Sequence, residues 1–233
     1  MPALRRVGHK GADLIAPGNT YASFDAARAA GVDMIEFDVL LVGERLILAH
    51  DYEDAAAREP HTLEEGLDHL ASDSFTGIEL DVDLKLPGYE VRVLDALRAR
   101  GLLERSLISS QFQESLTALR AAEPAVRLGW SVPKLQRDPF RHPGLALPAR
   151  VALVAAKAIL PSRAAAAIRA HRCDALMVHW RLVSPRLVTA VQRAGGEIYV
   201  WTVDELPKMR ALDALGVTGV ITNDPRLFAA LAA

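Results

Sequence analysis

The sequence predicts a (β/α)8 TIM barrel, and three observations support this fold class. The 233 residues suit one barrel domain, and 51% of them are apolar, which is enough for a sizeable core. Short apolar runs alternate with helical patterns from one end of the chain to the other. Most of these runs lack polar alternation, as is typical of strands covered on both faces. We therefore expect residues 1–233 to form one α/β barrel domain, with a doubly wound open sheet as the alternative.

Eight strands are predicted in order along the chain. They lie near residues 4–8, 33–39, 77–84, 106–109, 126–130, 174–178, 197–201 and 218–221. Helices are predicted near 20–30, 89–100, 112–122, 184–194, 205–214 and 224–232, with a longer helical segment within 145–171. Active-site residues of such a barrel come from the carboxyl ends of its strands and the loops that follow. Polar residues that interrupt the apolar strands are therefore expected there.

Two histidines follow predicted extended segments. The first strand ends in VGHKGA, which places His9 and Lys10 at its carboxyl end, and the short run LILAHD ends with His50 and Asp51. Histidine titrates near neutral pH and can exchange protons in a reaction. A single histidine after a strand is more often an ordinary hydrogen-bonded residue. We interpret the remaining five in that way: His61, His69, His142, His171 and His179.

Acidic residues interrupt the second and third strands. Glu36 and Asp38 lie two apart in MIEFDVLL, so their side chains share one face of the strand. Two facing carboxylates repel each other unless a cation or a proton lies between them. Asp83, in IELDVDLKLPG, is a third candidate ligand from the next strand, and Lys85 follows it. Oxygen ligands without a Cys or His cluster favour Mg²⁺ or Ca²⁺ over Zn²⁺.

The side chains at these interruptions have chemical properties that suit one reaction site. Two histidines, two lysines and a divalent cation suit a phosphate ester, because the cation and the lysines stabilise charge on phosphoryl oxygens. A solvent-exposed strand face is the ordinary explanation for any one acidic pair. Four separate interruptions at predicted strand ends favour a functional site.

In this order, the motifs resemble the glycerophosphodiester phosphodiesterase family. The family's opening His-Arg-Gly and Pro-Glu-Asn-Thr segments correspond to HKG at 9–11 and PGNT at 17–20. Its Glu-x-Asp, His-Asp and Glu-x-Lys motifs correspond to EFD at 36–38, HD at 50–51 and DLK at 83–85. The later stretches SLISSQF, YVWTVDE and GVTGVITNDP are similar to the signatures of its strands 4, 7 and 8.

The resemblance implies an activity and a set of site residues. It implies hydrolysis of glycerophosphodiesters to glycerol 3-phosphate and an alcohol, with a divalent cation as cofactor, Mg²⁺ or Ca²⁺. The implied residues are His9 and His50 as the general acid/base pair, Glu36, Asp38 and Asp83 as metal ligands, and Lys10, Lys85 and Trp201 as substrate-binding residues.

The chain departs from the family pattern at four points. Lys10 replaces an arginine, Gly18 replaces a glutamate near the metal, and Asp83 replaces a glutamate. Only ten residues separate His50 from HTLEEGLDHL at 61–70, where the family usually carries a much longer insertion. This shortened insertion predicts a more open site, which would admit larger substrates such as a lysophospholipid. A related barrel family cleaves sphingomyelin and lysophospholipids by a similar two-histidine, metal-dependent route.

Charge is distributed unevenly along the chain. Residues 1–125 carry 12 basic and 22 acidic residues, whereas residues 127–193 carry 12 basic and only two acidic ones. Within VALVAAKAIL, helical spacing predicts one apolar face, with Arg150 and Lys157 together on another. Such a helix can lie on an anionic membrane surface, although an ordinary barrel helix is the alternative. The predicted apolar face comprises Val151, Val154, Ala155, Ala158 and Ile159.

Two other classes of function remain as alternatives. A phosphodiester-binding barrel that has lost catalysis would explain Lys10, Gly18 and Asp83, but it would not need both histidines. A nucleic-acid binder is not expected, because aromatic residues are not interleaved with the basic ones. The single cysteine, Cys173, allows no disulfide framework and fits a reducing compartment. With neither a signal-peptide pattern nor a long apolar segment, we expect a cytoplasmic protein with peripheral membrane contact.

Overall fold

The computed structural model describes residues 3–133 and 146–231, without the side chains of 146–151. Nine strands are described. They are β1 (Arg5–Gly8), β2 (Met34–Val42), β3 (Arg45–Ile47), β4 (Glu79–Leu84), β5 (Ser106–Ser110), β6 (Arg127–Val132), β7 (Ala175–His179), β8 (Glu197–Trp201) and β9 (Gly219–Thr222). Eight of them pair in parallel, and β1 pairs with both β2 and β9. The sheet therefore closes on itself, which confirms the predicted barrel and excludes the open sheet.

The short strand β3 lies outside the barrel ring. It pairs antiparallel with the end of β2, through Leu40 with Ile47 and Val42 with Arg45. The pair extends β2 beyond the ring at its carboxyl end. This hairpin leads directly to His50.

Nine α-helices and three short 3-10 helices, at Asp73–Phe75, Leu103–Arg105 and Trp180–Leu182, are described around the strands. The α-helices are α1 (Tyr21–Ala29), α2 (Tyr52–Ala57), α3 (Leu63–Leu70), α4 (Glu90–Ala99), α5 (Gln113–Ala122), α6 (Ala146–Arg169), α7 (Pro185–Arg193), α8 (Leu206–Leu215) and α9 (Leu227–Leu231). The sequence did not predict α2 or α3. No residue of α2 is buried, so it has no apolar periodicity to detect. The short α3 is fixed at its start by a reciprocal capping box between Thr62 and Glu65.

The main core lies between the strands and the surrounding helices, and a smaller cluster fills the barrel interior. Met34, Leu107, Met177 and Tyr199 belong to that inner cluster and are almost fully buried. Gly129 of β6 makes room for it, because a Cβ atom there would lie 2.8 Å from Leu107 and 2.9 Å from Met177. The interior is thus packed with side chains rather than hollow.

An ion network closes the amino-terminal end of the barrel. Arg5, Glu79, Arg127 and Glu197 are the first residues of β1, β4, β6 and β8, which are alternate strands of the ring. Arg5 and Arg127 each donate to Oε2 of Glu79 at 2.7 Å, and Arg127 also donates to Glu197 at 2.8 Å. Because these Arg–Glu hydrogen bonds join strands that are not neighbours in the ring, they cross the interior of the barrel. This layer leaves the carboxyl end as the open end of the barrel.

Helix α6 is longer than the barrel requires. Its second half packs on the core through Leu160, Ala164 and Ile168. The part of the helix before Leu160 exposes Val154 by 69% and Ile159 by 53%. In the described ranges, no helix is both long and apolar enough to cross a bilayer.

Candidate active site

A cavity of about 580 Å³ opens at the carboxyl ends of the strands. Its walls include polar residues from β2, β4, β5 and β6 and apolar residues such as Leu40, Leu86 and Pro133. Six of the eight predicted site residues line it: His9, Glu36, His50, Asp83, Lys85 and Trp201. Asp38 is fully buried beside Lys85, and Lys10 is not part of the cavity wall.

His9 is held at both its backbone and its ring. It follows β1, and its backbone N–H donates to the Thr222 carbonyl at 2.8 Å. Its Nδ1 lies 2.6 Å from Oδ1 of Asn223, while Nε2 lies 3.9 Å from Oε2 of Glu36. Burial, assisted by the positive charge of Lys10, lowers the pKa of His9 below its ordinary value. A neutral His9 with its Nδ1 bonded therefore presents Nε2 to the cavity.

His50 is the more exposed of the two histidines. Its Nδ1 lies 3.0 Å from Oδ2 of Asp51, and its side chain is 49% exposed. The other carboxylate oxygen of Asp51 accepts the backbone N–H of Asp54 and caps α2. Asp51 therefore orients the catalytic candidate and starts the helix that follows it.

The three predicted metal ligands lie together. One carboxylate oxygen from each of Glu36, Asp38 and Asp83 falls within 4.8 Å of the others. Asn19 holds Asp38 from behind, since its amide donates to Oδ2 at 2.9 Å and accepts the Asp38 backbone N–H at 3.0 Å. The backbone N–H of Lys10 donates to Oε2 of Glu36 at 2.7 Å. These bonds fix the carboxylates of Asp38 and Glu36.

Lys85 supplies the positive charge of the cluster. Its Nζ lies 2.5 Å from Oδ1 of Asp38 and 2.5 Å from Oδ2 of Asp83. Burial alone would raise the pKa of Asp38, but the charges of Lys85 and His50 hold it below its ordinary value. Burial, together with the neighbouring Asp38 charge, raises the pKa of Glu36. The cluster thus carries more negative charge than one ammonium balances.

The residues fit a hard divalent cation. Oδ1 of Asp38 is buried, and the ammonium of Lys85 beside it also contacts Asp83. Three carboxylates provide the oxygen ligands that Mg²⁺ and Ca²⁺ prefer. A second positive charge would also relieve the repulsion that raises the pKa of Glu36.

Lys10 and Trp201 lie at the edges of this arrangement. Lys10 has a φ of 50°, and its Nζ lies 3.5 Å from Oδ2 of Asp13. The same Asp13 accepts the backbone N–H of Gly18 at 2.8 Å. A Cβ atom on Gly18 would lie 2.6 Å from Asp13, so the glycine allows Asp13 this position. Trp201 ends β8 and meets the ring of His179 edge-on, with 5.1 Å between ring centroids.

Sequence reasoning missed several residues of the site. Asn19, which holds Asp38, was recognised only as part of a motif. Asn223, which binds His9, follows the carboxyl end of β9, so the rule for barrel strand ends could have found it. Asp81 is buried, and burial raises its pKa to about 8. Its carboxyl accepts a 2.7 Å hydrogen bond from Ser109, which also faces the cavity.

Comparison with known proteins places this geometry in context. The glycerophosphoryl diester phosphodiesterase family matches residues 61–227. A glycerophosphodiester phosphodiesterase of Caldanaerobacter subterraneus subsp. tengcongensis is 25% identical over 94% of this chain and 93% of that protein. That alignment reaches beyond the family match towards the amino terminus, where His9, Glu36 and His50 lie.

Solved structures share the fold. An Oleispira antarctica phosphodiesterase, in complex with the product sn-glycerol-3-phosphate, superposes with a TM-score of 0.70 and 20% identity over 99% of this chain and 98% of that one. A glycerophosphodiester phosphodiesterase of Thermotoga maritima gives a TM-score of 0.72 and 18% identity, over 99% and 100% of the two chains.

Proposed function

Because the chain belongs to the glycerophosphoryl diester phosphodiesterase family and is therefore a phosphoric diester hydrolase, we propose that it hydrolyses glycerophosphodiesters to glycerol 3-phosphate and an alcohol. The observation that carries this proposal is the meeting of His9, His50 and the carboxylate cluster in one cavity. Acid, base and cation-binding groups are the parts that phosphodiester hydrolysis requires. The product named in the Oleispira antarctica structure supports the same substrate class.

The proposed mechanism uses the two histidines as an acid/base pair. One removes a proton from the nucleophile, a water molecule or a substrate hydroxyl, and the other protonates the leaving oxygen. Both have Nδ1 within hydrogen-bond distance of a neighbour, Asn223 for His9 and Asp51 for His50. Each ring therefore has Nε2 available for proton transfer. Lys85 is proposed to bind the phosphoryl group, since it lines the cavity beside the carboxylate cluster, and Trp201 to line the pocket.

Glu36, Asp38 and Asp83 are proposed to hold one divalent cation, Mg²⁺ or Ca²⁺. When bound, such a cation neutralises charge on phosphoryl oxygens. The chain's own contribution is to fix two of the three carboxylates, through Asn19 at Asp38 and the Lys10 backbone at Glu36. Lys10 is proposed to add charge near the phosphate, although its ammonium lies by Asp13.

A lysophospholipid is the second candidate substrate. Only α2 and a few flanking residues lie between His50 and α3, and Tyr52 at the start of α2 is 58% exposed. Leu40, Leu86 and Tyr52 add apolar wall next to the charged cluster. A site that is open and partly apolar on this side could accept an acyl chain as well as a small alcohol.

We also propose that the catalytic face contacts an anionic membrane. Val154 and Ile159 are exposed on α6, with the exposed Lys157 and Arg163 near them at helical spacing. Ala155 and Ala158 of the predicted apolar face are exposed too, while the side chains of Arg150 and Val151 lie outside the described residues. Further exposed apolar residues follow or end the strands β1 to β3: Leu14, Ile15, Val42 and Tyr52. Apolar side chains flanked by basic ones suit a membrane interface.

The remaining basic segment supports this contact less directly. Residues 134–145, including Lys134, Arg137, Arg141 and His142, lie outside the described part of the chain. Arg127 is committed to Glu79 and Glu197 at the opposite end of the barrel. With a single buried cysteine, Cys173, we place the protein in the cytoplasm, at the inner membrane surface.

Product analysis tests the proposed activity. Purified protein is incubated with glycerophosphocholine and, separately, with a lysophospholipid, each with Mg²⁺, Ca²⁺ or EDTA, and ³¹P NMR identifies the products. We expect glycerol 3-phosphate from the small diester, with EDTA abolishing turnover. Cleavage of the lipid alone would establish the second substrate class. Absence of turnover with either substrate would favour a binding barrel that has lost catalysis.

Histidine variants test the assignment of the acid/base pair. His9→Ala and His50→Ala should each lower kcat by roughly 10²–10⁴-fold, the usual contribution of general acid–base catalysis. His171→Asn is the matched control, because His171 lies between α6 and β7 at the other end of the barrel. Asparagine tolerates its φ of 53°. Full activity in both alanine variants would contradict the assignment.

A further inference from the structure

A chain of side chains behind His9 ends at Asp204, outside the cavity wall. Oδ1 of Asn223 lies 2.6 Å from Nδ1 of His9, and the Asn223 amide nitrogen donates to Oδ2 of Asp204 at 2.7 Å. Neither Asn223 nor Asp204 lines the cavity. Because the two residues lie behind the ring, we expect their effect on the proposed reaction to pass through His9.

The chain has only one consistent direction of hydrogen bonding. A carboxylate can only accept, so Asp204 must face the NH₂ group of Asn223. This leaves the carbonyl oxygen of Asn223 facing His9, and a carbonyl oxygen also only accepts. Nδ1 of His9 must then carry the proton, and Nε2 of a neutral ring is left unprotonated on the cavity side.

Asp204 itself is fixed by the end of β9. Its Oδ1 accepts the backbone N–H of Asn223 at 2.8 Å and the Thr222 hydroxyl at 3.0 Å. The carbonyl of the same Thr222 accepts the His9 backbone N–H. One short turn thus determines the position of both the backbone and the ring of His9.

We propose that Asp204 is a positioning residue, which orients the Asn223 amide and thereby sets the tautomer and ring orientation of His9. The expected effect on kcat rests on the proposed function, but the tautomer of His9 can be measured without a substrate. Replacing Asp204 should therefore lower kcat and leave KM unchanged. Hydrogen-bond partners of metal ligands commonly change activity by about 10–100-fold when they are replaced, and we expect an effect of that size for this partner of a catalytic histidine.

The decisive pair of variants is Asp204→Asn and the swap Asp204→Asn/Asn223→Asp. In the single variant an amide NH₂ replaces the acceptor, so the Asn223 amide turns and offers NH₂ to His9. The ring must then accept at Nδ1 and carry its proton on Nε2. In the swap, the carboxylate introduced at position 223 again accepts from His9 and also accepts from the amide introduced at position 204. The oxygen of that amide keeps the turn bonds, so the swap should restore the original tautomer.

The tautomer is read directly from ¹⁵N chemical shifts of the His9 ring in the full-length, EDTA-treated protein. We expect Nδ1–H in the wild type and in the swap, and Nε2–H in Asp204→Asn. With glycerophosphocholine and the divalent cation, kcat of Asp204→Asn should fall about 10–100-fold at unchanged KM, and the swap should recover most of it. Asp213→Asn, an exposed side chain on α8, is the matched control and should behave as the wild type.

Several outcomes would overturn the proposal. The proposal fails if Asp204→Asn leaves the tautomer unchanged, or if it changes the tautomer without changing kcat. It also fails if the swap restores neither the tautomer nor kcat. If Asp204→Asn does not fold, Asn223→Ala replaces it, because Asp204 keeps its bonds to the backbone and to Thr222. That variant should lose a fixed tautomer and the same fraction of kcat, and a wild-type kcat would reject the role. A wild type that turns over no diester would count against the proposed function, while the tautomer result would still decide the positioning role.

Discussion

The ammonium of Lys85 lies 2.5 Å from Oδ1 of Asp38, a fully buried carboxylate. Lys85 also contacts Asp83, so it occupies the side of the cluster where a divalent cation would bind. The lysine therefore balances part of the negative charge when no cation is bound. A divalent cation bound by these carboxylates would compete with this ammonium for Asp38 and Asp83, and we expect that competition to set its affinity.

Replacing Lys85 should separate metal binding from turnover. In Lys85→Met the buried Asp38 loses its ion partner, which should lower the free energy of unfolding by roughly 3 kcal/mol in EDTA. Added Mg²⁺ or Ca²⁺ should restore more stability than it adds to the wild type, because no ammonium has to move. Turnover should still fall, since Lys85 is the proposed phosphate contact. Urea unfolding with and without the cation measures this, with the exposed Lys157→Met as control. Equal cation effects in both proteins would contradict the competition.

We expect Asp51 to affect kcat by orienting His50, and not by capping α2. Its two oxygens serve two partners, His50 Nδ1 at 3.0 Å and the Asp54 backbone N–H at 2.9 Å. Asparagine is as good a helix cap as aspartate but has one oxygen and no charge. We therefore expect Asp51→Asn to fold normally and to lose about tenfold in kcat. Steady-state kinetics tests this, with the exposed Glu59→Gln as control. A wild-type kcat would show that His50 does not need this carboxylate.

The ion network at the closed end of the barrel should make stability depend on acid pH. Burial alone would raise the pKa of Glu79, but its bonds with Arg5 and Arg127 outweigh burial and hold it below the ordinary 4.5. The contribution of Glu79 is then complete above the unfolded-state pKa and is lost as pH falls through the lower folded-state pKa. Glu79→Gln should lose roughly 2 kcal/mol at pH 7 and much less at the acid end. Urea unfolding across this range checks the slope, and a pH-independent difference would contradict it.

Exposed apolar residues of α6 should control binding to lipid vesicles. Val154→Asp and Ile159→Asp each remove apolar area worth roughly 1.5–3 kcal/mol when fully buried and add a charge that anionic lipids repel. Each should weaken sedimentation with anionic vesicles about tenfold or more, since about 1.4 kcal/mol is tenfold. Ala166→Asp, exposed nearer the other end of the same helix, should bind normally. Equal binding by all variants, or none by the wild type, would reject the membrane contact.

The sequence allowed us to predict the apolar strands and the local motifs, but not the contacts between residues that are far apart in the chain. Each barrel strand is a short run buried on both faces, so Glu36 and Asp38 stood out as interruptions with a spacing of two. Helix α2 was not predicted, because it buries none of its residues. The roles of Asn223 and Asp204 depend on His9, whose ring lies 214 residues from Asn223 along the chain. Nor could composition show that Lys10 adopts a φ of 50° and gives its backbone N–H to Glu36.

The closure of the barrel by β1 and β9 also has a consequence for the kinetics of folding. The candidate acid, base and cation ligands all lie within the first 85 residues, yet the hydrogen bonds that hold His9 come from the last strand and the turn after it. Contacts so far apart in sequence form late, because the closure entropy of the intervening chain opposes them. A partly folded or still-emerging chain would therefore have its reactive groups loosely arranged. Recovery of enzyme activity during refolding would report the joining of the two chain ends, and not merely the collapse of the core.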